Sequence, residues 1–226
     1  MKVGIIGAGR IGKVHAKNIS MFVPEMEIKT IADPFMNEQT EAFAKSCGIP
    51  NTTKDANDIL NDPEIEAVLI CSSTDTHSKY IIEAAHAGKH IFCEKPLAKT
   101  IEDCEEIEKA VAENGSKCFT VGFMRRFDPS YAEAKEKIRA GAIGKPILFK
   151  GVSLDPSSVL EAHLEGVKKG IYVPWFIEMG SHDTDLARWF LEGDPVDSFA
   201  THHFFCFLLG NIVQFTDTRY LFRHIP

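Results

Sequence analysis

The pattern Gly7-Ala8-Gly9-Arg10-Ile11-Gly12 follows at once on a short apolar run, Lys2–Ile6, and it narrows the fold more than any other feature of the chain. A GxGxxG carries meaning when a strand precedes it and a helix follows. Here residues 2–6 read as a strand, and the stretch running to Ser20 reads as a helix. Gly7 then permits a tight turn, Gly9 lets the backbone approach a pyrophosphate, and Gly12 lets the helix pack against the strand. At Arg10 and Ile11 the helix opens, where unpaired N–H groups and the helix dipole favour the negative charge of phosphates. Asp33 ends the next β-rich run, 21 residues after Gly12. A carboxylate there accepts hydrogen bonds from both ribose hydroxyls of an adenosine and repels a 2′-phosphate. The pattern predicts NAD as cofactor, with NADP disfavoured.

The rest of the first half repeats the same alternation. Residues 27–32, 67–71, 90–93 and 118–121 read as strands. Residues 37–47, 56–60, 78–87 and 101–113 read as helices between them. Strands separated by helices of this length imply βαβ units and a parallel sheet covered on both faces, and the apolar strand runs fit that burial. After Gly122 the texture changes. Residues 129–140 and 184–191 read as helices, and residues 146–152 and 196–201 as strand-like. We therefore expect an α/β protein with two domains: a cofactor-binding domain over 1–122, and an incomplete α+β domain over 123–226 for substrate binding and oligomerisation.

Composition removes several classes of function. Of the 226 residues, 44% are hydrophobic and 25% charged, the balance of a globular protein. The net charge is −7 with no basic cluster, so nucleic acid is not an expected partner. No run of some 18 apolar residues predicts a membrane span. The six cysteines lack CxxC spacing, and the N-terminus shows no signal-cleavage pattern. We expect reduced thiols, a cytoplasmic protein and no metal site.

Two loops at strand ends carry the candidate chemistry. Ser72-Ser73-Thr74-Asp75-Thr76-His77 follows the strand at 67–71, at the carboxyl end where open α/β sheets bind ligands. Ser72, Thr74 and His77 are candidate contacts to the nicotinamide ribose or phosphates. The same residues also read as a plain helix start capped by Asp75 or Thr76. Glu94-Lys95-Pro96 follows the strand at 90–93, with Glu94 a further cofactor-side candidate. An ammonium at Lys95 can hydrogen-bond a substrate hydroxyl and stabilise a developing alkoxide.

With these motifs and Gly122-Phe123-Met124-Arg125-Arg126-Phe127-Asp128, the chain resembles the Gfo/Idh/MocA oxidoreductases, and within them the inositol 2-dehydrogenase branch. The resemblance runs from residue 1 to about 155 and from 179 to about 197. It implies a Rossmann domain followed by an α+β domain with an open sheet, and NAD(P)-dependent oxidation of a hydroxyl on a sugar or on a cyclitol such as myo-inositol. It makes Lys95 catalytic. It makes His182 the acid/base, with Glu178 where the family has an aspartate four residues earlier. Residues i and i+4 share a helix face, so the glutamate can still reach the imidazole. The plainer reading is Ser181 as a helix cap with His182 facing solvent. Arg125 is expected to line the polyol pocket and Asp155 to meet the substrate at a strand end. The alternative for Arg125 and Arg126 is a charge pair contacting Asp128.

The chain departs from the family at its end. Residues 199–226 hold seven of the 22 aromatic residues but only three charged ones, Asp217, Arg219 and Arg223. Family members continue further, with strands that complete the second sheet and its oligomer face. We expect an incomplete or altered C-terminus that leaves a family-like homo-oligomer without part of its interface. The rival function is an NAD-binding protein without turnover.

Overall fold

The computed structural model describes residues 1–115, 117–153, 157–170, 173, 175–193, 197–200 and 218–221, with backbone alone for 157–162, 175, 176, 197–200 and 218–221. Contacts divide the chain into two compact units, Met1–Gly122 and Phe123–Pro226.

In the first unit, β1 (Lys2–Ile6), β2 (Glu27–Ala32), β3 (Asn51–Thr53), β4 (Ala67–Ile70), β5 (His90–Cys93) and β6 (Phe119–Val121) form one sheet in the order β3-β2-β1-β4-β5-β6. All five pairings are parallel. The helices between them are α1 (Arg10–Phe22), α2 (Glu38–Ser46), α3 (Asn57–Leu60), α4 (His77–His86) and α5 (Ile101–Glu113). Alternate strand residues enter different cores. Val3, Ile5, Ala67 and Leu69 pack with Ala16 and Ile19 of α1, whereas Ile6, Val68 and Ile70 pack with Ile81 of α4 and Ile107 of α5. Burying each such Ile or Leu contributes about 1.5–3 kcal/mol, which is why strands this short hold their register. Two helices begin on side-chain caps: Asn37 accepts from Thr40 N, and Thr100 from Asp103 N.

This strand order reverses direction between β1 and β4. The carboxyl ends of β1, β4 and β5 therefore open onto one crevice, the place where such sheets take ligands. The glycine pattern, the 72–77 loop and Glu94-Lys95-Pro96 all lie at those ends. Strand β3 was not expected from the sequence. Its residues Asn51-Thr52-Thr53 contain no apolar side chain, because an edge strand paired only to β2 has little to bury.

The second unit contains α6 (Pro129–Arg139), α7 (Ser157–Lys168) and α8 (Trp175–Leu191), with an antiparallel pair β7 (Asp197–Ala200) and β8 (Thr218–Leu221). Asp128 caps α6, accepting from Ser130 N and Tyr131 N, while the side chains of Arg125 and Arg126 go to Asp183 and Asp185 instead. Phe190 of α8 stacks on Phe149 at 5.8 Å between ring centroids. The strand expected over 146–152 is absent. Ile147 is 93% and Leu148 79% exposed. A β-prone segment becomes a strand only when another strand accepts its backbone hydrogen bonds, and no described residue does so here. Helix α8 starts nine residues earlier than the sequence reading of 184–191, which brings residues 178 and 182 into the helix.

Among the described residues, no helix is long and apolar enough to cross a membrane.

Candidate active site

The glycine turn in the first unit is shaped for a close ligand. Gly7 sits at φ +102°, a conformation that favours glycine, and its N–H donates to Ala32 O at 2.8 Å. A Cβ on Gly12 would lie 1.9 Å from the Gly7 carbonyl oxygen, so this residue lets α1 close on the turn. A Cβ on Gly9 would meet nothing within 4 Å, leaving open space over the turn. Gly9 is also the N-cap of α1, which has no side-chain cap bond and no acid in its first turn. The amide N–H groups that a helix leaves unbonded at its start are thus available to an anion. Arg10 is exposed beside them, and Ile11 packs half-buried against the core.

Asp33 lies at the end of β2. Its Oδ2 accepts from Ala8 N at 2.7 Å and its Oδ1 from Phe35 N at 2.8 Å. These two bonds fix the carboxylate plane and leave acceptor capacity on both oxygens for a vicinal diol. The open space over Gly9, the uncapped helix start and the fixed carboxylate together fit a dinucleotide.

The 72–77 loop is a single 3₁₀ turn leading into α4. Thr76 is the N-cap position of α4, yet its hydroxyl donates to Ser73 O at 2.8 Å instead of capping the helix. Ser72 Oγ lies 2.7 Å from Thr76 Oγ1 and is half-buried, and Thr74 is buried. His77 is placed differently from the sequence expectation. It is 1% exposed, with Nδ1 2.9 Å from Pro96 O and Nε2 3.1 Å from Ser72 O. An imidazole buried beneath the loop between two carbonyl oxygens does not reach a cofactor; it packs between the two loops and donates to one of those carbonyls.

Glu94 is half-buried. Its N–H donates to Ile70 O at 2.9 Å, and its Oε1 accepts from His15 Nε2 at 2.6 Å. Lys95 is half-buried at the following position, joined to Pro96 by a cis peptide bond. Cys71 and Cys93 lie near Glu94. Burial pushes both thiols well up, and the glutamate charge adds to this, so they are inert rather than nucleophilic.

In the second unit, Glu178 and His182 lie four residues apart on α8. His182 is 8% exposed and packs edge-on against Phe123, with centroids 6.4 Å apart. Ser181 is inside the helix, with its hydroxyl donating to Glu178 O at 3.1 Å. The cap reading with a solvent-facing histidine is therefore wrong: α8 has already begun six residues earlier. Arg125 Nη1 donates to Asp183 Oδ1 at 2.6 Å and Nη2 to Ser153 Oγ at 2.9 Å, while Ser153 Oγ donates to Asp183. Arg126 forks onto Asp185 with contacts of 2.6 to 3.1 Å and lies over the Trp189 ring. Asp155 lies outside the described residues. No group of three metal-ligating side chains occurs among the described residues.

Sequence reasoning missed His15, Ser153, Asp183 and Asp185. His15 carried a signal, since it stands three residues after Gly12 on the helix that the glycine pattern opens. The other three had none, because their partners lie 28 to 59 residues away.

Comparison with known proteins places the fold in a family. Residues 1–123 match the oxidoreductase family with an NAD-binding Rossmann fold, and residues 131–205 match the GFO/IDH/MocA C-terminal domain. The chain is 40% identical over 205 residues to scyllo-inositol 2-dehydrogenase (NAD(+)) of Bacillus subtilis, covering 89% of this chain and 57% of that protein. It is 36% identical over 200 residues to myo-inositol 2-dehydrogenase of Thermotoga maritima, covering 88% and 58%. Among solved structures, scyllo-inositol dehydrogenase from Lactobacillus casei with bound NAD(H) and scyllo-inositol superposes with a TM-score of 0.82 at 28% identity, over 98% of this chain and 68% of that one. The chain thus spans somewhat more than half the length of the curated relatives it matches. On the match over its whole first unit, the chain belongs to the Gfo/Idh/MocA oxidoreductase family.

Proposed function

We propose that the protein is an NAD-dependent dehydrogenase that oxidises a secondary hydroxyl of a cyclitol or related polyol. The observation that carries this reading is the pairing, on one crevice edge, of an open glycine turn and fixed Asp33 with Lys95 at the end of β5. The names of the relatives, inositol dehydrogenases, support the substrate class.

The turn at Gly7, Gly9 and Gly12 holds the pyrophosphate against the start of α1, with Arg10 and Ile11 supplying backbone N–H groups. Asp33 holds the adenosine ribose and repels a 2′-phosphate, which disfavours NADP. Ser72 and Thr74 border the nicotinamide half. NAD, when bound, supplies the hydride acceptor. Lys95 donates to the reacting hydroxyl oxygen and stabilises its developing negative charge. His182 takes the hydroxyl proton as the C–H bond yields its hydride, so the carbinol becomes a ketone and one proton is released to the imidazole. Glu178 orients that imidazole. Arg125, braced by Asp183 and Ser153, offers its remaining N–H groups to vicinal hydroxyls. The first unit acts as the cofactor-binding domain, the second carries the polyol-recognising groups, and the site of action is the cytoplasm.

The test is absorbance at the reduced-nicotinamide band with NAD and a panel of inositols and sugars. The reading expects NADH with at least one cyclitol and none from a Lys95→Ala variant. No NADH from any member of the panel overturns it.

A further inference from the structure

Lys95 is bracketed in sequence by two residues, and a histidine holds each of them. On one side, the Glu94 carboxylate accepts from His15 Nε2 at 2.6 Å, with the two side chains 17% and 24% exposed. The His15 ring is itself steadied edge-on against Phe92, at 5.2 Å between centroids. Gly122 makes room for the arrangement, since a Cβ there would lie 3.0 Å from Phe92 Cζ and 3.3 Å from the Glu94 carboxylate. On the other side, the Pro96 carbonyl oxygen lies 2.9 Å from Nδ1 of the buried His77, whose Nε2 is 3.1 Å from Ser72 O. Carbonyl oxygens only accept and a neutral imidazole carries one N–H, so His77 donates to one of the two at a time; with the proton on Nδ1 the partner is the Pro96 carbonyl.

The origin of the two histidines gives the arrangement its meaning. His15 belongs to α1, the helix that the glycine turn opens. His77 is the first residue of α4, directly behind the Ser72–Thr76 loop. The segment carrying Lys95 is thereby tied to α1 on one side and to the start of α4 on the other.

We propose that His15 and His77 are positioning residues that hold Lys95 in place. His15 acts through the Glu94 carboxylate, and His77 acts by donating from Nδ1 to the Pro96 carbonyl, which ties that segment to the start of α4. The two clamps are independent of one another and of the bonds Asp33 makes. Their consequence for turnover rests on the reading of Lys95 as the catalytic lysine. A group that must meet a reacting oxygen within a fraction of an ångström loses rate when its support loosens, whereas dinucleotide affinity, held by the glycine turn and Asp33, does not follow it.

The experiment uses the 226-residue chain and four variants: His15→Leu, which keeps bulk but no donor; His15→Gln, which keeps a donor; Glu94→Gln, which keeps shape; and His77→Leu. Each is first checked for folding by circular dichroism. Amide exchange over residues 92–97 and the acylation rate of the Lys95 amine, relative to exposed Lys109, are then read by mass spectrometry with NAD present. We expect His15→Leu and His77→Leu to speed exchange in 92–97 by roughly tenfold or more, the scale of one lost buried hydrogen bond, and to change the Lys95 acylation ratio. Glu94→Gln falls between them and the parent, and His15→Gln restores most of the parent behaviour. Should a Leu variant not fold, Glu94→Gln and His15→Gln still order the series. Unchanged exchange and acylation in folded Leu or Glu94→Gln variants overturns the proposal. A purely structural ion pair would lower the melting temperature and leave the Lys95 ratio alone. Turnover separates this inference from the function it rests on. If exchange and acylation respond as expected but Lys95→Ala oxidises cyclitols like the parent, the clamps stand and the catalytic role of Lys95 falls. If both hold, the Leu variants lose kcat with the KM for NAD within about twofold of the parent.

Discussion

Two glycines flanking the α1 start, Gly9 one residue before it and Gly12 two after, make opposite demands, and replacing each by alanine separates fold from cofactor binding. At Gly12 an added Cβ would stand 1.9 Å from the Gly7 carbonyl oxygen and 3.0 Å from its carbon. That oxygen belongs to a turn that cannot give. Gly7 is at φ +102°, its N–H is bonded to Ala32 O at 2.8 Å, and its own Cα is packed on the Cys71 and Ser72 backbone. The helix must therefore retreat by about an ångström, an overpacking defect of about 3 kcal/mol. Alanine returns about 1 kcal/mol in helix propensity, so we expect a net loss of about 2 kcal/mol, or roughly 5–10 °C in the melting temperature of the first unit. At Gly9 the backbone is at φ −68°, which alanine adopts freely, and the Cβ meets nothing within 4 Å. A poorer N-cap and a less flexible unfolded chain nearly cancel, for a net change under about 1 kcal/mol. The same methyl occupies the space reserved for the pyrophosphate, so NAD affinity falls at least about tenfold. Thermal unfolding by circular dichroism and calorimetric titration with NAD read the two effects. A Gly12→Ala protein as stable as the parent would refute the close approach. A Gly9→Ala protein that binds NAD like the parent would refute the placement of the phosphates.

Asp33→Ala should weaken NAD by about tenfold to a hundredfold, the scale of lost hydrogen bonds to a charged group, and bring NADP affinity close to that of NAD; equal affinities already in the parent, by calorimetry, contradict the role. Arg126→Ala leaves the Asp185 carboxylate, 7% exposed, without its forked partner. With Arg126 itself 40% exposed, we expect about 2 kcal/mol of destabilisation in denaturant unfolding, less than for a fully buried pair, and only partial rescue by Arg126→Lys. Alkylation at pH 8 should label exposed Cys118 and spare Cys71 and Cys93, whose thiols burial pushes up. Because unfolded thiols ionise at lower pH, stability falls as pH rises past about 8.5. At the acid end Lys29 holds the Asp62 carboxyl below its usual range, so its contribution is complete above that range and is lost as pH falls through the lowered value.

The parts of the fold legible in the sequence are those where a segment declares its own surroundings. Strands β1, β4 and β5 are largely apolar because both faces are covered, and the glycine turn is written in three residues. Strand β3 is polar because it lies at an edge. Residues 146–152 show the converse case: β-prone residues that remain unpaired because no described strand meets them. At the site, Asp33 and the residues around Lys95 follow from strand ends, and His182 from the family pattern. The supports were hidden. His77 read as a loop residue facing the cofactor, yet it is buried under the loop. Asp183 and Asp185 drew no reading from the sequence, yet each anchors an arginine from the segment after β6. Such pairings depend on tertiary proximity, which no local pattern encodes.

The account stands most directly on hydride transfer itself. NAD is incubated with the protein and an inositol carrying deuterium at the carbinol carbons, and the reduced cofactor is weighed by mass spectrometry. The account predicts NADH carrying one deuterium, with the reaction lost in Lys95→Ala although that variant still binds NAD. NADH without deuterium, or a Lys95→Ala variant that forms labelled NADH at the parental rate, would contradict it.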